Sequence, residues 1–325
     1  MKKQLNIYTD LALEAAGDCA DKIDGVTIAT EKNNAAQLTI TTVDITSDDA
    51  SQNLNKPIGT YVTLESKLLM ENDPTAHEII IKEFSRKLGQ FHKLDKDDVV
   101  LVVGLGNWNV TPDALGPKSV ARVLVTRHIT GTDAVALEIE NQVRSVCAVT
   151  PGVMGITGIE TGDIVRGIVD KICPDLVIAI DALAARSISR INSTIQMSDT
   201  GVNPGAGLGN KRKELNQKTL GVPVIAIGVP TVVDAATLIS DTLDVILEDM
   251  INHSGDKNFL SAINSLDDKE RYAMVAQALE PYTGNMFVTP KDVDAVMTRL
   301  ASIIANSINI ALHPGITQND INKFF

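Results

Sequence analysis

Four short runs rich in valine and isoleucine narrow the fold of this chain more than any other feature: Val99–Gly104, Val146–Thr150, Leu176–Ile180 and Val222–Val229. Each is apolar without alternation and stops at a turn-forming or polar residue. A strand that is apolar at every position has no face to offer water, so it must be covered on both sides, as in a parallel sheet between helical layers. Between two of the runs, Ile164, Val165, Ile168, Val169 and Ile172 recur at a spacing that puts one apolar stripe on a helix. Thr157 and Glu160 have the spacing of a capping box ahead of it, which assigns Gly152–Gly158 to the entry loop. Strand and helix alternate, the pattern of a doubly wound α/β sheet.

The earlier stretch Gln37–Thr46 alternates and is rich in threonine, which predicts a half-exposed strand pairing antiparallel at an edge, with Tyr61–Glu65 as a second such strand. The expected sheet is therefore mixed and mostly parallel, with helices on both faces. Past Thr231 the pattern turns helical to Asp249, a polar insertion occupies His253–Lys269, and helical periodicity resumes over Asp292–Ile310 as a C-terminal cover. No repeat, low-complexity tract or linker interrupts the chain, which reads as one domain.

A length of 325 residues with 44% hydrophobic content can fill a sizeable core. The net charge of −12 argues against a phosphate-neutralising surface, and 3% aromatics, with Trp108 the sole tryptophan, argue against base-stacking platforms. Neither nucleic acid nor membrane is an expected partner. Cys19, Cys147 and Cys173 are too few and too scattered for a disulfide framework or a thiolate zinc site, and Cys147 reads as a small core residue. The start carries no apolar signal region, and no run approaches the roughly 18 apolar residues of a membrane span, so a cytoplasmic location is expected.

Familiar catalytic signatures fail one by one. Gly104-Leu-Gly106-Asn-Trp-Asn109 opens like a dinucleotide fingerprint but has Asn109 where close helix packing wants glycine. Gly205–Arg212 lacks the Gly-Lys-Ser/Thr of a phosphate loop, and His77-Glu78 has Ile81 where a zinc helix needs its second histidine. No Gly-x-Ser-x-Gly elbow occurs. His128 reads as the end of an apolar helical run, where its charge would suit the helix dipole.

What remains is a carboxylate pair. Asp181 directly follows the run Leu176–Ile180, at the strand edge where open α/β sheets bind ligands, and Asp113 lies in the loop leaving Val99–Gly104. If those strands are neighbours, both carboxylates face one crevice. Two carboxylates a few ångströms apart share a proton, so one can activate water while the other protonates a leaving group; the same pair could hold a divalent metal. Amide hydrolysis, glycoside hydrolysis and metal chemistry all stay open on these grounds.

The blocks GLGNWNVTPDALGP (Gly104–Pro117), TPGVMGITGIETGDI (Thr150–Ile164), AIDALAARS (Ala179–Ser187), DTGVNPGAGLGNKRKEL (Asp199–Leu215), IGVPTVVDA (Ile227–Ala235) and ALHPGI (Ala311–Ile316) resemble the bacterial germination proteases. The resemblance runs along nearly the whole chain and is weakest at Asp24–Pro57 and His253–Lys269. It implies an endopeptidase that digests small acid-soluble spore proteins in the spore core during germination, built as a homotetramer on a fold similar to hydrogenase maturation endopeptidases. It implies that Asp113 and Asp181 are catalytic and that neither cofactor nor metal is needed, His128 being the ligand to watch. It further implies a zymogen, with Met1–Asp10 as propeptide and Leu11–Phe325 as the protease. Thr9-Asp10-Leu11-Ala12 is similar to the Thr-Glu-Ile/Phe-Ala sites cut in the substrates, so self-cleavage is expected between Asp10 and Leu11, favoured by mild acid. Gly201–Asn210 is expected as a flap over the cleft, and Lys211, Arg212 and Lys213 as a docking spot for acidic substrates. The alternatives are a metal-dependent maturation-type peptidase or amidase on the same crevice, and a non-catalytic binder of acid-soluble proteins.

Overall fold

The computed structural model describes residues 9–17, 23–129, 142–203, 213–239, 242–243, 246, 274–275, 277–278 and 286–320. Among these, nine strands form one mixed sheet: β1 (Val26–Asn33), β2 (Leu38–Ile45), β3 (Gly59–Glu65), β4 (Val99–Gly104), β5 (Ser145–Val149), β6 (Leu176–Ala185), β7 (Thr194–Ser198), β8 (Val224–Asp234) and β9 (Phe287–Val288). Their order is β1-β2-β3-β7-β8-β6-β4-β5, with β9 also paired to β8. The apolar runs form the parallel half, β8-β6-β4-β5, and β1, β2, β3 and β7 make an antiparallel wing. The α/β class and the mixed sheet are as the sequence predicts.

Alternate residues of each strand feed the two faces. Val100, Val102, Ile178 and Ile227 point into one large core with Ile80 and Phe84 of α3 (Pro74–Phe91), Leu115 of α4 (Leu115–Val120), and Met297, Leu300 and Ile304 of α8 (Val293–Leu312). Opposite, the cover is divided. Leu101, Val103, Val177 and Ala179 meet Val165 and Val169 of α6 (Thr161–Ile172) and Leu220 of α7 (Gln217–Leu220). Val43, Ile45 and Tyr61 of the wing meet α1 (Ala12–Ala16) and α2 (Asp48–Leu54). By length and composition α8 could cross a membrane, yet 67% of its apolar window is buried in this core.

The structure corrects several expectations. β2 is an inner strand; the edge belongs to β1, which is mostly exposed and only partly buries Val26 and Ile28. β6 does not stop at Ile180: β8 keeps pairing with it after β4 has ended, so Asp181 lies inside the strand. β8 likewise runs to Asp234 before any helix begins. α6 is entered at Glu160 with no side-chain cap; Thr157 ends a short helix upstream, and its hydroxyl accepts from Ile159 N–H at 3.2 Å rather than from the first turn of α6. α4 ends at Val120, so His128 terminates no helix and sits exposed in a turn. The short α5 (Met154–Thr157) occupies the expected glycine loop. The polar insertion His253–Lys269, the Gly201–Asn210 loop beyond 203, Lys211 and Arg212 lie outside the described residues.

Candidate active site

The two halves of the divided face leave a gap, and strand register fills it with one row of residues. Asp181 of β6 pairs with Gly228 of β8, Gly228 with Gln196 of β7, and Gln196 with Thr63 of β3. Directly paired residues point to the same face. Asp181 and Gln196 therefore flank a position with no side chain, about 10 Å apart at two strand spacings. Leu183 leans over Gly228 so closely that a Cβ there would lie 2.4 Å from a leucine methyl. Above the row is a cleft of about 900 Å³, lined by Asp10, Lys56, Asp181, Gln196, Ser198 and Gly228 among others.

The chain's own N-terminal segment lies along this cleft. Asp10 N–H donates to Ala184 O at 3.2 Å, and the Asp10 carboxylate accepts from Ala184 N–H at 2.8 Å. The Asp10 carbonyl oxygen accepts from Lys56 Nζ at 3.0 Å and from Gln196 Nε2 at 3.2 Å, and Ala12 N–H donates to Gln196 Oε1 at 2.7 Å. Lys56 Nζ also donates to Thr9 O at 3.0 Å. Leu11 and Ala12, directly after Asp10, are fully buried. The segment thus reaches from Ala184 of β6 to Gln196 of β7, within the cleft that Asp181 also lines.

Lys56 is fixed by its neighbours. Asn55 caps α2 in the left-handed conformation at φ 50°, and Pro57 follows, with its carbonyl accepting from the Tyr61 hydroxyl at 2.9 Å. Burial pulls the Lys56 ammonium below its ordinary pKa, opposed by the charges of Asp10 and Glu14. Burial also pushes the Tyr61 phenol up to about 12.

Asp181 is 5% exposed, and its Oδ1 accepts from Ala182 N–H at 2.9 Å. β4 and β6 are parallel neighbours, with Gly104 opposite Ile180, so Asp181 stands one residue beyond the end of β4. Asp113 closes a 3-10 turn, Thr111–Asp113, on the same strand edge, packed against β6, β8 and α8. The loop returns onto itself: Asn107 N–H donates to Asp113 O at 3.0 Å, and Gly106, at φ 111°, has no room for a Cβ, which would fall 1.9 Å from that oxygen. The structure brings both aspartates to one edge, but only Asp181 lines the cleft; half-buried Asp113 is not among the lining residues.

The other residues singled out from sequence stand apart. Lys213 pairs with Asp163 at 2.6 Å on the surface. His77 Nε2 lies 3.0 Å from Leu68 O, and Cys147 of β5 packs on the core, its thiol pKa raised by burial. Among the described residues no group of three or more His, Cys, Asp or Glu could hold a metal ion. Lys56 and Gln196 escape the sequence reading, because nothing local marks them. The one available hint is Asn-Lys-Pro after α2, a stop that fixes where Lys56 points.

The cleft of this α/β sheet therefore holds a peptide segment whose carbonyl is clasped by two side-chain donors. A family model described as germination protease matches residues 6–251 and 247–325. Over 327 residues the chain is 47% identical to the germination protease of Clostridium acetobutylicum, covering 98% of this chain and 99% of that one. Identity is 46% over 323 residues to that of Clostridium tetani, at 98% and 99% coverage, and 42% over 360 residues to that of Bacillus cereus, at 98% and 97%. The chain belongs to the germination protease family, and the resemblance read from its sequence blocks is correct.

Proposed function

We propose that this protease is an endopeptidase that starts the breakdown of small acid-soluble DNA-binding proteins in the spore core, and that it is made as a zymogen which removes its own Met1–Asp10. The observation that carries this reading is the Asp10–Leu11 peptide, lying in the cleft that Asp181 also lines, with its carbonyl on Lys56 and Gln196. Asp113 and Asp181 share one proton at the strand edge. The ionised partner takes a proton from water as the water oxygen bonds to the Asp10 carbonyl carbon, and charge accumulates on the carbonyl oxygen. Lys56 and Gln196 are placed to stabilise that charge, in the manner of an oxyanion hole. The protonated partner then gives its proton to the Leu11 nitrogen, the C–N bond breaks, and a carboxylate on Asp10 and an amine on Leu11 remain. Substrate proteins are cut in the same cleft, and four chains assemble into the working particle, with Lys211, Arg212 and Lys213 meeting acidic substrates.

The test is incubation of purified full-length protein, at neutral and at mildly acid pH, followed by N-terminal sequencing and by addition of an acid-soluble spore protein. Expected results are a new N-terminus at Leu11, faster release at acid pH, and fragments of the added protein. Retention of Met1 together with an intact substrate would overturn the reading. Light scattering should give a species of four chains, and activity should survive exhaustive chelation; loss on chelation would favour a metal-dependent peptidase instead.

A further inference from the structure

On the face of the sheet opposite the cleft, where β6 and β8 begin, there is a second cavity of about 240 Å³. Its floor is aliphatic: Leu176 and Ile178 of β6, Ile225 of β8, Leu88 of α3 and Leu312 of α8. Arg144, His92 and Lys93 line it as well. None of these residues takes part in the reaction at Asp10–Leu11.

Arg144, which directly precedes β5, is 8% exposed. Its Nε donates to Asp95 O at 3.0 Å, its Nη2 to Leu94 O at 3.3 Å and its Nη1 to Leu312 O. Two of these carbonyls lie just past α3 and the third belongs to the last residue of α8, so the guanidinium plane is fixed across both helix ends. A guanidinium has five N–H donors, which leaves one on Nη1 and one on Nη2 unused. Among the described residues Arg144 forms no ion pair. Burial lowers its pKa, and the charges of Asp98 and Asp95 oppose this only from longer range. A buried charge is ordinarily matched by a counter-charge, because neutral carbonyls replace only part of the hydration it has given up. Arg144 thus presents an unmatched cation with spare donors to an aliphatic cavity.

That combination defines the ligand. A carboxylate accepts from both nitrogens of a guanidinium fork and supplies the missing charge, whereas a neutral amide has a single acceptor oxygen and no charge. Inorganic phosphate would leave the apolar floor uncovered. The cavity is smaller than the roughly 300–1,000 Å³ of sites for drug-sized molecules, which points to a short free acid.

We propose that this cavity binds a small branched aliphatic carboxylate, its oxygens on the spare Nη1 and Nη2 donors of Arg144 and its alkyl body on Leu176, Ile178 and Ile225. The bound acid balances the charge that ties the ends of α3 and α8 to the start of β5, so occupancy stabilises the folded chain.

The test is equilibrium dialysis of radiolabelled isocaproate against the purified full-length protein. One equivalent should bind per chain, and the thermal midpoint should rise with the concentration of the acid. Isocaproamide should compete at least about tenfold less well than unlabelled acid, and inorganic phosphate should not compete. Arg144→Gln should weaken the acid by about tenfold or more and leave the amide unaffected. Because Arg144 also ties two helix ends, Gly89→Leu decides the matter if that variant does not fold. Gly89 of α3 lines the cavity, and a Cβ added there meets nothing within 4 Å, so leucine should obstruct the acid while urea stability stays at or above that of the parent. Absence of saturable binding, equal competition by acid and amide, competition by phosphate as strong as by the acid, or undiminished binding in folded Arg144→Gln or in Gly89→Leu would overturn the site.

Discussion

The two faces of the sheet are covered in different ways. One is sealed by a continuous core in which α3, α4 and α8 pack over strands from β2 to β5. The other carries two separate clusters, one under α6 and α7 and one under α1 and α2. The cleft lies in the interruption between them, and every side chain that grips the N-terminal segment projects there or from the adjoining loops. A sheet sealed on both faces would be more stable and would have no place for a substrate. The undivided face supplies rigidity, which lets the divided one leave Asp181, Thr63 and Gln196 as polar residues in a buried row.

This comparison makes the consequences of substitution separable. The largest effect is expected for Asp181→Asn and Asp113→Asn, each lowering self-processing and substrate cleavage by about 10³-fold or more while the thermal midpoint stays near that of the parent. Near-normal rates in either variant would remove that residue from the chemistry. On the sealed face, Phe84→Ala should do the reverse, costing about 3–5 kcal/mol in urea unfolding because Phe84 is fully buried, with residual folded protein still active. If it also abolished catalysis at temperatures where it is folded, the separation of the faces would fail.

Next in size, Lys56→Met should slow self-cleavage by about 10²-fold, the scale of losing one donor to a developing oxyanion, with Gln196→Leu weaker. Rapid-quench rates on folded variants decide this. A rate that falls only through loss of the bound segment, seen as exposure of Leu11–Ala16 to hydrogen exchange, would make Lys56 an anchor instead.

The sealed side also has a pH sensitivity of its own. His313 is buried, with Nδ1 accepting from Arg144 N–H at 3.2 Å and Nε2 lying 3.0 Å from Leu124 O, and burial pulls its pKa down to about 4. Its folded pKa lies below the ordinary histidine value, so the unfolded chain takes the proton first. The neutral ring's contribution is complete above about pH 6.5 and is lost as pH falls toward 4, by about 2 to 3 kcal/mol. Urea midpoints across that window should fall in the parent and flatten in His313→Gln; an equal slope in both would refute it. If acid favours the proposed self-cleavage, it loosens this face over the same range. The smallest effect is expected for Lys213→Ala, whose ion pair with Asp163 is exposed, and which should shift stability by no more than about 0.5 kcal/mol.

The parallel half of the sheet was legible because β4, β5, β6 and β8 are apolar at nearly every position, a pattern that local sequence carries without help. The edge strand β1 was not, since most of it is exposed and Glu31 is set by ion pairs to Arg86 and Lys87 of α3 rather than by a core. The same distinction governs the site. Asp181 stood out as a charge directly after a buried run, and Asp113 as an acid in the loop leaving β4. Lys56 and Gln196 are ordinary polar residues until the fold brings the loop after α2 and β7 to the same segment.

The sequence by itself determined the layered α/β class, the strand edge at which two aspartates stand, and membership of the germination protease family, because burial periodicity and long motif blocks are local properties. Only the tertiary structure decided that β6 outruns β4 past Asp181, that Gly228, covered by Leu183, stands between Asp181 and Gln196 in register, and that Lys56 reaches the Asp10 carbonyl. Those outcomes depend on the register between strands far apart in the chain, and register is an energy minimum of the whole packed sheet rather than of any segment within it.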